Sequence, residues 1–204
     1  MKTKPAPPPI TTREMTRIQR KLKRGKSTGP DNIPNEAFIE ANEQTLEIYR
    51  QYLTNVIATN QLPPKWQEGE IITLYKGKGK KGKCSNERGI TLSSNMGKFL
   101  ERIIDGRCKQ EIKITENQAG GQKGAATVDH ILALKELIKK GNNKVYLVYL
   151  DVTKAYDKAW SEAIMYVMHK EGLTSKIWQT VKDMNENLTA TIRTNHGPTR
   201  PIKI

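Results

Sequence analysis

Val145-Tyr146-Leu147-Val148-Tyr149-Leu150-Asp151-Val152-Thr153-Lys154-Ala155-Tyr156-Asp157 is the stretch on which the fold turns. Alternation over residues 145–150 places Val145, Leu147 and Tyr149 on one face with Asp151, and Tyr146, Val148 and Leu150 on the other. Both faces are apolar, which predicts a strand covered on both sides. A carboxylate closing such a strand is costly to desolvate unless it is paired or bound to a metal. Phosphoryl transfer uses such a group to hold divalent cations against the attacking and leaving oxygens. An isolated Asp at a strand end also serves as a helix cap or turn former, so Asp151 by itself leaves both roles open.

Downstream, the pattern predicts helices after Ser161 and after Ser175. Alternating Leu188, Ala190 and Ile192 then predict a strand, and Asn195-His196-Gly197 turns the chain back. Upstream, Thr127 is placed to cap a helix that carries Val128, Ile131, Leu132 and Ile138 and stops at Gly141. Ser94 or Asn95 opens a helix with Met96, Phe99, Leu100, Ile103 and Ile104 facing inward. Residues 70–75 and 88–92 read as two strands of a hairpin. Its tip interleaves Lys76, Lys78, Lys80, Lys81 and Lys83 with Gly77, Gly79 and Gly82. A long helix is expected from a cap at Asn35 to about Asn60, with Leu46, Tyr49, Leu53, Val56 and Ile57 in one stripe, before Pro63-Pro64 stops it. Thr12 is placed to cap a shorter helix bearing Met15, Ile18 and Leu22. Residues 1–10, with Pro5, Pro7, Pro8 and Pro9, should be extended and mobile.

Lysine and arginine number 35 against 21 acidic residues, a formal charge of +14 with a pI near 9.7. Such an excess points to a polyanionic partner, because each neutralised phosphate releases condensed counterions. A hydrophobic share of 36% and a mean hydropathy of -0.68 mean that long charged stretches face solvent or a ligand. Cys84 and Cys108 give no disulfide framework, and His130, His169 and His196 have no metal-ligand spacing, which argues against structural zinc. No apolar run could span a bilayer and residues 1–9 lack a signal-peptide core, so an intracellular protein with no membrane partner is expected.

The run Leu150 to Asp157 resembles the first catalytic motif of reverse transcriptases: an Asp, then Ala and an aromatic, then commonly Asp. Pro64-Lys65-Trp66, Ile71 to Gly79, Cys84 to Leu92, and Gly97-Lys98 with Glu101, Ile103, Ile104 and Arg107 resemble the fingers of the non-long-terminal-repeat retrotransposon enzymes. Lys26 to Glu36 is similar to their lysine-rich Gly-Pro-Asp segment. Gln118, Gly120, Gly124, Thr127 and Asp129 are similar to the block between fingers and palm. These blocks follow the family's order across roughly residues 14–204, which is far more specific than any single motif.

The resemblance implies an α+β fold: reverse-transcriptase fingers with an incomplete palm of a right-hand polymerase. It implies a Pro-rich, basic N-terminal segment over 1–35, fingers over 36–141 and partial palm over 142–204. Asp151 corresponds to the catalytic, metal-binding aspartate, and the Val152 carbonyl to a backbone ligand of the same magnesium ion. Tyr156 falls where an aromatic ring packs under the incoming sugar; as a residue, it also fits a core position flanking the sheet. Arg88 aligns with the arginine that clamps the nucleotide triphosphate, and Lys76 with its partner lysine, in keeping with the bidentate guanidinium and the mobile ammonium charge. Lys78, Lys80, Lys81, Lys83, Gln118 and Lys123 are expected to contact template or phosphate, although a glycine-lysine tip is also what a solvated hairpin end looks like. Partners would be an RNA template, a DNA primer and deoxynucleoside triphosphates, in the nucleus or a cytoplasmic ribonucleoprotein.

Two departures stand out. Residues 121–126 (Gly-Gln-Lys-Gly-Ala-Ala) lack the family's aromatic, removing stacking or packing worth about 1–3 kcal/mol. Glu87 replaces a frequent Tyr beside Arg88. The family's paired-aspartate motif is not found either, since Asp183 precedes Met184 in a helical pattern. One carboxylate cannot hold two cations about 4 Å apart, so the chain as given is expected to be catalytically incomplete. The competing reading is a non-catalytic basic nucleic-acid-binding module or a degenerate retrotransposon relic.

Overall fold

The computed structural model describes residues 7–115, 117–122, 124–141, 145–153, 155, 158–173 and 176–204. They divide between two units, residues 1–112 with 161–204, and residues 113–160. In chain order the helices are α1 (Thr12–Gln19), α2 (Glu36–Ile39), α3 (Glu43–Thr59), α4 (Asn95–Glu111), α5 (Thr127–Lys140), α6 (Ser161–Lys170) and α7 (Lys176–Asn185). The strands are β1 (Glu68–Tyr75), β2 (Glu87–Ser93), β3 (Thr189–Thr194), β4 (Gly197–Pro198) and β5 (Ile202–Lys203). All but α5 belong to the larger unit, which is mixed α/β.

Helix α1 starts one residue earlier than the spacing predicts. Thr11 is the cap: its hydroxyl accepts from the Glu14 N–H at 3.2 Å, while the Glu14 carboxylate accepts from the Thr11 N–H at 2.8 Å. This reciprocal pairing satisfies two donors that a helix start leaves open. Met15 and Ile18 are buried as expected, but so is Ile10. The end of the proline stretch is therefore packed down rather than loose; residues 1–6 lie outside the described residues.

The single helix expected from Asn35 to Asn60 is two. Asn42 is extended, and its side-chain oxygen accepts from the Thr45 N–H at 2.9 Å, which starts α3 afresh. An Asn side chain offers the backbone this alternative to continuous helix. Gln19 closes the break by donating to the carbonyls of Phe38 and Ala41. Asn35 makes no cap; its amide donates to the Lys23 carbonyl at 2.8 Å. Helix α3 ends where Asn60 adopts a left-handed φ of 56°, the conformation that terminates helices at low cost for Asn.

Strands β1 and β2 form the expected hairpin, antiparallel from Gly69 opposite Ser93 to Tyr75 opposite Glu87. Strand β3 runs parallel to β1, with Gly69 beside Ala190, and the chain then turns back through β4 and β5 onto β3. The core brings α1, α3, α4 and α7 together around Phe38, Leu53, Phe99, Leu100, Ile103 and Leu173, with the Phe38 and Phe99 rings stacked at 5.1 Å. Gln67 ties the entry to β1 to the end of α7, donating to the carbonyls of Asp183 and Glu186. Asp183 lies on a helix, as its sequence pattern predicts.

In the smaller unit, α5 is capped from position 126, not by Thr127: the Ala126 N–H donates to the Asp129 carboxylate at 3.0 Å. Its apolar residues Val128, Ile131, Leu132 and Ile138 are exposed rather than inward-facing. Residues 145–150 form no strand. Tyr146, Val148 and Leu150 are 86%, 83% and 92% exposed. A strand exists only through a neighbour's backbone ladder, and among the described residues this unit has no other strand to pair with. Alternation records which faces would be buried, not whether a partner is present.

Candidate nucleic-acid interface and catalytic carboxylate

The lysine-rich tip is a built loop. Gly77, Gly79 and Gly82 all have positive φ, between 75° and 86°. A side chain at Gly79 would also sit 2.5 Å from the Asn86 amide nitrogen. The Tyr75 hydroxyl donates to the Gly79 carbonyl at 2.5 Å, Asn86 donates to the Lys80 carbonyl at 2.9 Å, and the Gly82 N–H donates to the Glu87 carboxylate at 3.1 Å. Glu87 is thus occupied in holding the loop. It also lies on the opposite face of β2 from its neighbour Arg88, which sits across from Leu74.

Four ammonium groups, those of Lys78, Lys80, Lys81 and Lys83, project from this frame into solvent. The ion pairs among the described residues involve none of them. Lys76 differs: its ammonium donates to the Ser85 carbonyl at 2.7 Å, at the base of the loop. Arg88 is exposed on β2.

The Gly-Pro-Asp segment has a structural task that its motif does not reveal. Gly29 lies so close to the end of β2 that a Cβ would meet the Ser93 carbonyl oxygen at 2.3 Å. Asp31 accepts from the Ser94 hydroxyl at 2.5 Å, and Asn95 donates to the Ile33 carbonyl at 2.8 Å. The Ser94 hydroxyl in turn accepts from the Gly97 N–H at 3.0 Å, capping α4. The segment is a buckle across the β2–α4 junction.

Arg107 is a second such device. It is buried and grips Glu14 with Nε and Nη2 at 2.8 and 3.0 Å, while donating to the carbonyls of Pro8 and Pro9 at 2.8 and 3.1 Å. Burial pushes the Glu14 carboxyl upward, but the bonds from Arg107 and Thr11 outweigh it and hold the group down at about 2. Neither partner's role could be read from the sequence, because they are 93 residues apart.

In the smaller unit, Asp151 and Val152 are exposed. Gln118 donates to the Gly120 carbonyl at 3.4 Å within its own turn. Tyr156 and Lys123 lie outside the described residues, as does Asp157. Magnesium takes near-octahedral oxygen ligands. The Asp151 carboxylate and Val152 carbonyl are of the right type, but among the described residues no three His, Cys, Asp or Glu side chains converge. These donors alone do not make a magnesium site. No helix among the described residues is long and apolar enough to cross a membrane.

A mixed sheet with a basic hairpin is accompanied in the sequence by an Asp-x-x-x-Ala-Tyr-Asp run over residues 151–157. The family model for reverse transcriptase (RNA-dependent DNA polymerase) matches residues 78–199. That is more than half of the chain, and the chain belongs to this family. It is similar to a protein described as a probable RNA-directed DNA polymerase from transposon BS of Drosophila melanogaster, 26% identical over 79% of this chain and 19% of the relative. It is also similar to the RNA-directed DNA polymerases from mobile element jockey of Drosophila melanogaster (25% identical, 88% of this chain, 20% of the relative) and Drosophila funebris (24%, 87% and 20%). The chain thus spans about one fifth of the length of these relatives.

Proposed function

We propose that this chain supplies the fingers and the first catalytic carboxylate of an RNA-directed DNA polymerase of a non-long-terminal-repeat retrotransposon, extending a DNA primer on an RNA template with deoxynucleoside triphosphates. The observation that carries this reading is the family match over residues 78–199, which contains both Arg88 and the Asp151 run. In this reading Arg88 and Lys76 hold the triphosphate, with Tyr156 under the sugar. Lys78, Lys80, Lys81, Lys83, Gln118 and Lys123 touch template or phosphate. Residues 36–141 act as fingers and residues 142–204 as part of the palm, with residues 1–35 leading into them. Asp151 and the Val152 carbonyl would contribute two ligands to magnesium, which supplies charge neutralisation at the phosphate when bound.

The residue chemistry agrees. A guanidinium exposed on a strand can take two phosphate oxygens at once, and the glycine frame of the hairpin tip sets out ammonium charges that enter no ion pair among the described residues. The test is primer extension on an RNA template by the polymerase that contains this stretch. Asp151→Asn should remove incorporation, at least a hundredfold, while template binding stays within about twofold. Incorporation at the parent rate would sink the assignment of Asp151. Template binding that persists in a polymerase with no detectable incorporation would favour the binding-module reading instead.

A further inference from the structure

The run Val145-Tyr146-Leu147-Val148-Tyr149-Leu150 has the composition of a strand and none of a strand's partners. All six side chains are exposed, and among the described residues their N–H and C=O groups make no backbone hydrogen bond. The run is the triplet Val-Tyr-Leu written twice, without charge, glycine or proline. Six residues of high β-propensity with no charge and no proline are the signature of segments that stack on copies of themselves.

The flanks say which arrangement of copies fits. In the sequence Lys144 precedes the run and Asp151 follows it. Parallel stacking in register would set Lys144 against Lys144 and Asp151 against Asp151, and like charges directly opposite are destabilising. The antiparallel register that opposes Lys144 to Asp151 does the reverse at both ends. It also sets Val145 opposite Leu150, Tyr146 opposite Tyr149 and Leu147 opposite Val148, so every pair inside the run is apolar or aromatic. Residues along a strand alternate in direction, while directly opposed residues point to the same side. One copy's Val145-Leu147-Tyr149 face therefore lies beside the next copy's Tyr146-Val148-Leu150 face. Only a run that is apolar on both faces tolerates this register, and this one is. The same geometry relates copies by a screw rather than a closed two-fold, so each added copy leaves a new edge. Strands in a ladder lie about 4.8 Å apart, and crowding of the attached larger units keeps the stack short.

We propose that copies of this chain associate through residues 145–150 as an antiparallel ladder, with Lys144 of one copy paired to Asp151 of the next. This goes beyond the polymerase reading and does not depend on it.

Sedimentation velocity of the 204-residue chain, before and after nuclease treatment and over a micromolar concentration series, reads the assembly directly. With nuclease, the parent should leave the 23.1 kDa monomer as concentration rises. At the lowest concentrations the amides of 146–150 exchange freely, and they should gain protection as the assembly forms. Val148→Lys puts a charge in the middle of the ladder and should raise the concentration of half-association roughly tenfold. Lys144→Glu should raise it about fivefold, and adding Asp151→Lys should restore it to within about twofold of the parent, because the swapped charges again meet their opposites. That pair lies outside the apolar run, so the idea stays testable if Val148→Lys fails to fold. Absence of the restoration, as a parallel stack would give, overturns the proposal. So does a parent that stays monomeric throughout, or one that associates only before nuclease treatment, bridged by polyanion. Association that Val148→Lys leaves unchanged while Leu132→Lys abolishes it would place the contact on α5 and equally refute the ladder.

Discussion

At the level of single residues, Arg107 and Glu14 decide more than any motif residue. The Glu14 carboxyl titrates near 4.5 when free and at about 2 in the folded chain. A lowered pKa stabilises the fold fully above 4.5, and that stabilisation is lost as pH falls from 4.5 toward 2. The effect is on the order of 2–3 kcal/mol. Urea melts between pH 6 and 2.5 should therefore show a falling midpoint in the parent and a flatter acid limb in Glu14→Gln. Arg107→Ala leaves Glu14 without its cation and the Pro8 and Pro9 carbonyls without their donor, and should cost about 3–5 kcal/mol. Cys108 offers a second check. It is buried, which with nearby Glu111 and Asp105 pushes its thiol up to about 11. An aromatic disulfide reagent at pH 8 should titrate one thiol, the exposed Cys84, and two only after denaturation.

At the scale of elements, the hairpin and α4 were legible because their signals are local. Period-two alternation, glycine spacing and a Ser cap need nothing from elsewhere in the chain. The division of α2 from α3 was not legible, because helical periodicity continues through Asn42 while a side-chain hydrogen bond interrupts the backbone. Asn42→Ala should cost about 1 kcal/mol in thermal or urea unfolding. Gly29→Ala should cost more, several kcal/mol, because the new Cβ would meet backbone rather than a flexible side chain. A stability change under 1 kcal/mol at Gly29 would contradict the buckle between the Gly-Pro-Asp segment and β2.

Across the whole molecule, the two units contrast in how well they cover their apolar residues. The larger has a continuous buried core from Ile10 to Ile177. The smaller exposes Val145 to Leu150 and, on α5, Val128, Ile131, Leu132, Leu137 and Ile138. Backbone amides of residues 146–150 should accordingly exchange with solvent within seconds, while those of Leu53, Leu100 and Ile103 should be protected for far longer. Protection at residues 146–150 comparable to that of α4 would show that a paired strand forms there in solution. Of the candidate site, the basic tip was readable as a motif. The buckle was not, since Gly29 and Asp31 meet Ser93 and Ser94 only in three dimensions.

The sequence alone determined the class of protein, the β1–β2 hairpin and the residues able to handle phosphate, because each of these is written in short-range pattern or residue type. Tertiary structure decided which side chains serve the fold instead. It turned Glu87 to the loop, Asp31 to Ser94, and Arg107 to Glu14, and it left the apolar run before Asp151 without a ladder. The physical reason is the same throughout: hydrogen bonds and strand pairing need a partner, and a partner distant along the chain leaves no local trace.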